Sequence, residues 1–82
     1  MEQNYNVIID FECNLYDNEL IDVFSDAIHV EAIGTNQYQV GYSVFAHSKN
    51  EAYRRGMNLV TAKLETLDSG LLNWIDAKVY EE

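Results

Sequence analysis

Carboxylates dominate the charged side chains of this sequence, fourteen Asp and Glu against five Lys and Arg, and several of them are regularly spaced. Asp10 and Glu12 stand two apart inside an alternating apolar run, so an extended backbone would hold them on one face at roughly 6.7 Å. Glu19, Asp22 and Asp26 recur at helical intervals, which would line them up on one helix face at about 5–6 Å. Glu31 and Asp76 add two more acids on expected strands. Successive phosphates along one nucleic-acid strand have a comparable separation. Rows of this kind therefore suit the Lys and Arg side chains of a basic partner.

Other chemistries find fewer parts. Cys13 with His29 or His47 would offer a thiol nucleophile and a base. Cys13, however, falls on the apolar side of its run and is expected as a core thiol. His29 is expected just after a helix C-terminus, where the dipole favours a histidine, and His47 in a loop. Asp10, Glu12 and Asp76 would supply oxygen ligands to a hard cation, but no calcium-loop, zinc or paired-histidine spacing accompanies them. Gly34, Gly41, Gly56 and Gly70 are scattered, so no phosphate-cradling loop is present. The expectation is a protein without catalytic residues, metal or cofactor.

Periodicity supplies the elements that would position these groups. Tyr5, Val7, Ile9, Phe11 and Cys13 alternate with Asn6, Ile8, Asp10 and Glu12, the pattern of a half-buried strand. Asp17-Asn18-Glu19 carries an N-cap residue and first-turn acids, predicting a helix from about Asn18 to Ile28 with Leu20, Ile21, Phe24, Ala27 and Ile28 as its apolar stripe. His29 to Thr35 and Tyr38 to Ala46 read as strands joined at Gly34-Thr35-Asn36-Gln37, a hairpin. Ser48-Lys49-Asn50-Glu51 is a capping box that opens a helix to about Leu67, ended by Asp68-Ser69-Gly70. Within that helix Gly56 costs roughly 1 kcal/mol against Ala, which points to a close approach. Asn73 to Tyr80 forms the last strand, with Ile75, Ala77 and Val79 on one side and Trp74, Asp76, Lys78 and Tyr80 on the other.

The order βαββαβ predicts an α+β domain of ferredoxin-like arrangement: a four-stranded antiparallel sheet, the first and third strands central, with both helices on one face. The other face would expose Ile8, Phe45, Trp74 and Tyr80 among Asp10, Glu12, Glu31 and Asp76. Aromatics on such a face can stack bases, but these acids would repel phosphates. The mixture reads as a protein-binding or self-association patch with Phe45 and Trp74 as anchors.

At 82 residues the chain has room for one core, so a single domain over residues 1–82 is expected. Its six Tyr, three Phe and one Trp are too many for a disordered tail. A single Cys forbids an intrachain disulfide, the start lacks the features of a signal peptide, and no apolar run approaches the ~20 residues of a membrane span. A cytoplasmic protein without membrane contact is expected.

The net charge is −9, yet from Met1 to Ser48 there is no Lys or Arg, and Lys49, Arg54, Arg55 and Lys63 all fall on the second helix. The foremost expectation is an acidic protein-binding module. One form of it is a phage or mobile-element inhibitor, such as an anti-CRISPR or other anti-defence protein, that mimics nucleic-acid charge to block a basic nucleic-acid-binding partner. Its contact residues would be Asp10, Glu12, Glu19, Asp22, Asp26, Glu31, Phe45, Trp74 and Asp76. The alternatives are a self-associating structural or regulatory subunit, including a homodimer, that uses the open sheet face or an edge strand, and a small-ligand or metal sensor.

Overall fold

Alternation in the first strand sets the plane on which the protein is built. The computed structural model describes residues 2–14, 17–66 and 72–82. In chain order the elements are β1 (Gln3–Cys13), α1 (Asp17–Val23), β2 (His29–Gly34), β3 (Gln37–Ala46), α2 (Lys49–Glu65) and β4 (Leu72–Glu81). The strands form one antiparallel sheet in the order β2-β3-β1-β4, which gives an α+β architecture with β1 and β3 in the middle.

Directly opposed residues of antiparallel strands share a face, so the register assigns every side chain. Val7, Ile9 and Phe11 of β1 oppose Tyr42, Val40 and Tyr38 of β3. All six are buried, together with Leu20 of α1, Phe24 in the turn just after it, and Ala52, Val60 and Leu64 from α2. Both helices thus cover the same face of the sheet. Phe11 is the hinge of this packing, its ring centroid 5.9 Å from that of Phe24 and 6.1 Å from that of Tyr38. Gly56 is the close approach that its place in the helix implied: an added Cβ would lie 2.7 Å from Cγ1 of Val7.

The β2–β3 hairpin turns at Thr35-Asn36, where Asn36 adopts φ 57°, a left-handed conformation that Asn tolerates better than most residues. The Asn36 carbonyl accepts from Cys13 N at 2.9 Å and ties the hairpin to the end of β1. At the start of α2, Glu51 N donates to Ser48 Oγ at 3.2 Å, as a capping serine should. The reciprocal half of the expected box is absent, because the Glu51 carboxylate turns instead to Arg55 at 2.8 Å. α2 ends at Glu65, with Thr66 as its cap. The expected stop at Asp68-Ser69-Gly70 lies outside the described residues, as do the side chains of Asp17 and Asn18 in the expected cap of α1.

Two expectations need correction. α1 stops at Val23 rather than continuing to Ile28. Phe24 N still reaches Leu20 O at 3.0 Å, but Ala27 N turns to Phe24 O, and Ile28 N is taken at 2.9 Å by Gly41 O of β3. The sheet therefore captures the chain where the helix would have continued. Lys63 of α2 donates to the Val23 carbonyl at 3.3 Å and fills the place of the next helical turn. Ile21 and Ile28 of the expected apolar stripe are left exposed.

The second correction concerns β4. Its register against β1 shifts between Asp10 and Phe11, so that Asp10 opposes Asp76 while Phe11 opposes Trp74. One extra residue in a bulge reverses the facing of everything beyond it. Trp74 therefore leaves the open face and comes to the helix side of the sheet, its ring 6.2 Å from that of Phe11 and edge-on to it. There it borders a groove with Tyr53 and Met57 of α2.

Candidate functional site

The face opposite the helices is laid out in rows that cross the strands. Lys78, Ile8, Gly41 and His29 form one row, and Asp76, Asp10, Gln39 and Glu31 form the next. With adjacent strands about 4.8 Å apart, each row spans roughly 14 Å. Beyond them, Tyr80, Asn6 and Ser43 line up on one side, while Asn73, Glu12 and Gln37 do so on the other. Gly41 lowers the floor here, since an added Cβ would meet Ile8 Cδ1 at 2.8 Å. The result is a shallow groove of about 370 Å³ lined by Ile8, Asp10, His29, Gln39, Asp76, Lys78 and Tyr80.

A chain of polar contacts organises the acidic row. Gln39 Nε2 donates to Asp10 Oδ1 at 2.9 Å, while Gln39 Oε1 lies 3.0 Å from His29 Nε2, which is also 3.3 Å from Glu31 Oε2. Asp76 accepts from its neighbouring backbone N–H at Ala77 and lies 3.9 Å from Lys78 Nζ. Glu12 accepts from Asn73 at 3.2 Å. Asp10 and Asp76 nevertheless stand directly opposite each other, a pairing of like charges that destabilises a sheet unless a cation joins them. Asn6 adds one more acceptor, a buried side-chain oxygen with no hydrogen-bond partner among the described residues. This face offers acceptors and negative charge to whatever meets it.

The structure divides the residues expected to bind a partner. Asp10, Glu12, Glu31 and Asp76 come together on the open face, with Phe45 at its margin, 58% exposed. Glu19 and Asp22 lie exposed on α1, in the layer covering the opposite face. Asp26 does not continue their helical row, because it falls in the turn after α1. There it pairs with Lys63 at 3.0 Å and accepts from Tyr42 Oη at 2.9 Å. The Lys63 hydrogen bond holds the Asp26 carboxyl below its ordinary value, while burial and then Asp26 push the Tyr42 phenol upward. Trp74 lies on the helix side, as described above.

Cys13 is buried on the core face, and burial pushes its thiol up to about 11. His29 occupies the other face of the sheet, so the two cannot act as a nucleophile and base. Sequence reasoning missed a different cluster. Glu2, His47 and Glu51 bring potential ligand atoms within 4.8 Å of one another. The Arg55 guanidinium already lies 3.4 Å from Glu2 and 2.8 Å from Glu51, occupying the place of a cation. Only the Glu51–Arg55 spacing of four residues hinted at it in the sequence.

No family model, no curated protein and no solved structure matches this chain. Among the described residues, no helix is long and apolar enough to cross a membrane.

Proposed function

We propose that this protein is an acidic binding module whose open sheet face docks a basic protein, and that it acts in the cytoplasm. The observation that carries this reading is the row Asp76–Asp10–Gln39–Glu31, in which two carboxylates oppose each other across neighbouring strands, Asp10 accepting from Gln39 and Asp76 lying 3.9 Å from the exposed Lys78. A Lys or Arg side chain seated between Asp10 and Asp76 would relieve that repulsion, and the guanidinium fork suits paired carboxylates. Tyr80 and Ile8 would supply the apolar contact around it. A basic nucleic-acid-binding protein is the partner class we favour, because its groove already carries cations spaced for phosphates. The module would then compete with nucleic acid in the manner of a phage or mobile-element inhibitor. The strand order, equivalent to β4-β1-β3-β2 from the other edge, supports a ferredoxin-like assignment. That arrangement hosts too many activities to argue for any one of them.

The test is affinity purification from the native host with a salt gradient, using four forms of the protein. The partner is expected to elute between 0.1 and 1 M salt, roughly where the Debye length falls from 10 to 3 Å. Asp10→Lys/Asp76→Lys is expected to abolish capture, while Glu19→Lys/Asp22→Lys retains it; Tyr80→Ala should weaken it. Loss of capture with the α1 pair alone would show that the wrong face has been chosen.

A further inference from the structure

β3 runs on past the end of β2, its outer neighbour. β2 pairs with β3 only as far as His29 opposite Gly41, and the last bond of that ladder runs from Ile28 N to Gly41 O. Backbone groups alternate in direction along a strand, so the N–H and C=O of Ser43 and Phe45 point outward past the end of β2. The Phe45 carbonyl confirms this direction, since it accepts from Arg55 of α2 rather than from a strand. Alongside this half-edge, whose Phe45 carbonyl Arg55 already occupies, runs a groove of about 480 Å³ lined by Val44, Phe45, Arg55, Asn58, Leu59 and Ala62. On this flank of α2, Leu59 is 39% exposed.

We propose that the half-edge Ser43–Ala46 receives an extended, basic segment of a partner protein as an added strand. Unpaired strand-edge groups select an extended backbone, and an apolar groove beside them takes every second side chain of it. The sign of the remaining side chains follows from the surroundings. The Glu82 carboxylate lies 3.4 Å from Ser43 Oγ, whereas Asp26 is already paired with Lys63 and Arg55 sits on the Phe45 carbonyl, so the sign is set by Glu82 and by the net charge of −9. A second copy of this chain would bring another −9 to the same place, which disfavours pairing between copies. The choice of a basic segment rests on the basic-partner reading above, whereas the site is separate from the open-face groove.

A capped octapeptide alternating Lys and Val, and its Glu–Val counterpart, test the proposal by amide hydrogen exchange with backbone resolution. The Lys–Val peptide is expected to slow exchange at Ser43 and Phe45 by about tenfold or more, a change of about 1.4 kcal/mol; the Glu–Val peptide should leave both amides unchanged. Leu59→Glu should remove the protection at both amides, and Ser43→Pro, which deletes an outward N–H at an edge where proline is tolerated, should remove it at Phe45. Protection by neither peptide, or by both equally, overturns the proposal. So does protection that appears without peptide and rises with protein concentration, the mark of a second copy. If the Lys–Val peptide perturbs Asp10, Asp76 and Tyr80 but not Ser43, the edge proposal fails while the open-face reading stands. Loss of native-partner capture in the Asp10→Lys/Asp76→Lys form is the separate measure of that reading.

Discussion

Cys13 and Asp26 are the two described side chains whose acidity departs downward or upward for reasons that stability can report at accessible pH. The Cys13 thiol has an ordinary value of 9.0 and is pushed up to about 11 by burial. The unfolded chain ionises first, so this contribution is complete below pH 9.0 and is lost as pH rises toward 11. Only the thiolate attacks. We therefore expect a thiol reagent at pH 8 to label Cys13 no faster than the protein opens, with full labelling in denaturant. Rapid labelling of the folded protein would contradict its burial. Asp26 acts at the other end of the scale. Its lowered value, from an ordinary 3.8, gives a contribution that is present above that pH and lost as pH falls below it. The pair with Lys63 is exposed to solvent and screened, so Asp26→Asn should cost only about 0–1 kcal/mol at neutral pH. Thermal melts at neutral pH and near pH 3 should show the difference between variant and parent shrinking in acid.

Between elements, the contact that decides most is Gly56 of α2 against Val7 of β1. Ala would improve helix propensity by about 1 kcal/mol, but its Cβ would stand 2.7 Å from one Val7 methyl and 2.9 Å from Val7 Cβ. Val7 is fully buried and stiff at χ1, so it cannot yield. Gly56→Ala is expected to destabilise by about 1–3 kcal/mol in urea titrations, and Val7→Ala should partly rescue it. Trp74 offers a second test, because its 42% exposure conceals a ring contact with Phe11. Trp74→Ala should lower stability by about 0.5–1.5 kcal/mol for the aromatic pair and leave partner capture unchanged. β1, β3 and α2 were legible in the sequence because their apolar residues keep one period throughout. Two features were not. The end of α1 depends on Gly41 capturing the Ile28 N–H, a bond between distant segments. The bulge in β4 leaves the composition of the strand unchanged, so the run Trp74-Ile75-Asp76 reads the same in either register. The open face was therefore read correctly at Ile8, Asp10, Glu12, Phe45 and Tyr80 but wrongly at Trp74.

Across the whole molecule, the strands set the shape. β1 has eleven residues, about 36 Å at 3.3 Å each, and the protein measures 39 × 22 × 20 Å. A charge of −9 is spread over this thin body, and self-repulsion opposes its compaction. Raising the salt from 0.05 to 0.5 M should therefore increase Tm while weakening association with a basic partner, since both effects scale with the ~14 to ~4 Å fall in screening length. A Tm that falls with salt would mean that the attractive pairs of Arg55 and Lys63 outweigh the repulsion. The arrangement of strands also governs the order of events in folding. β1 is made first, yet both of its neighbours, β3 and β4, come later in the chain. Its two rows of backbone donors and acceptors must wait for strands up to 76 positions away, as in the pairing of Tyr5 with Glu81. Contacts of such long sequence separation slow folding. The β2–β3 hairpin and α2, local in sequence, are placed to form ahead of the sheet's central strand, which would then enter between β3 and β4 as the closing step.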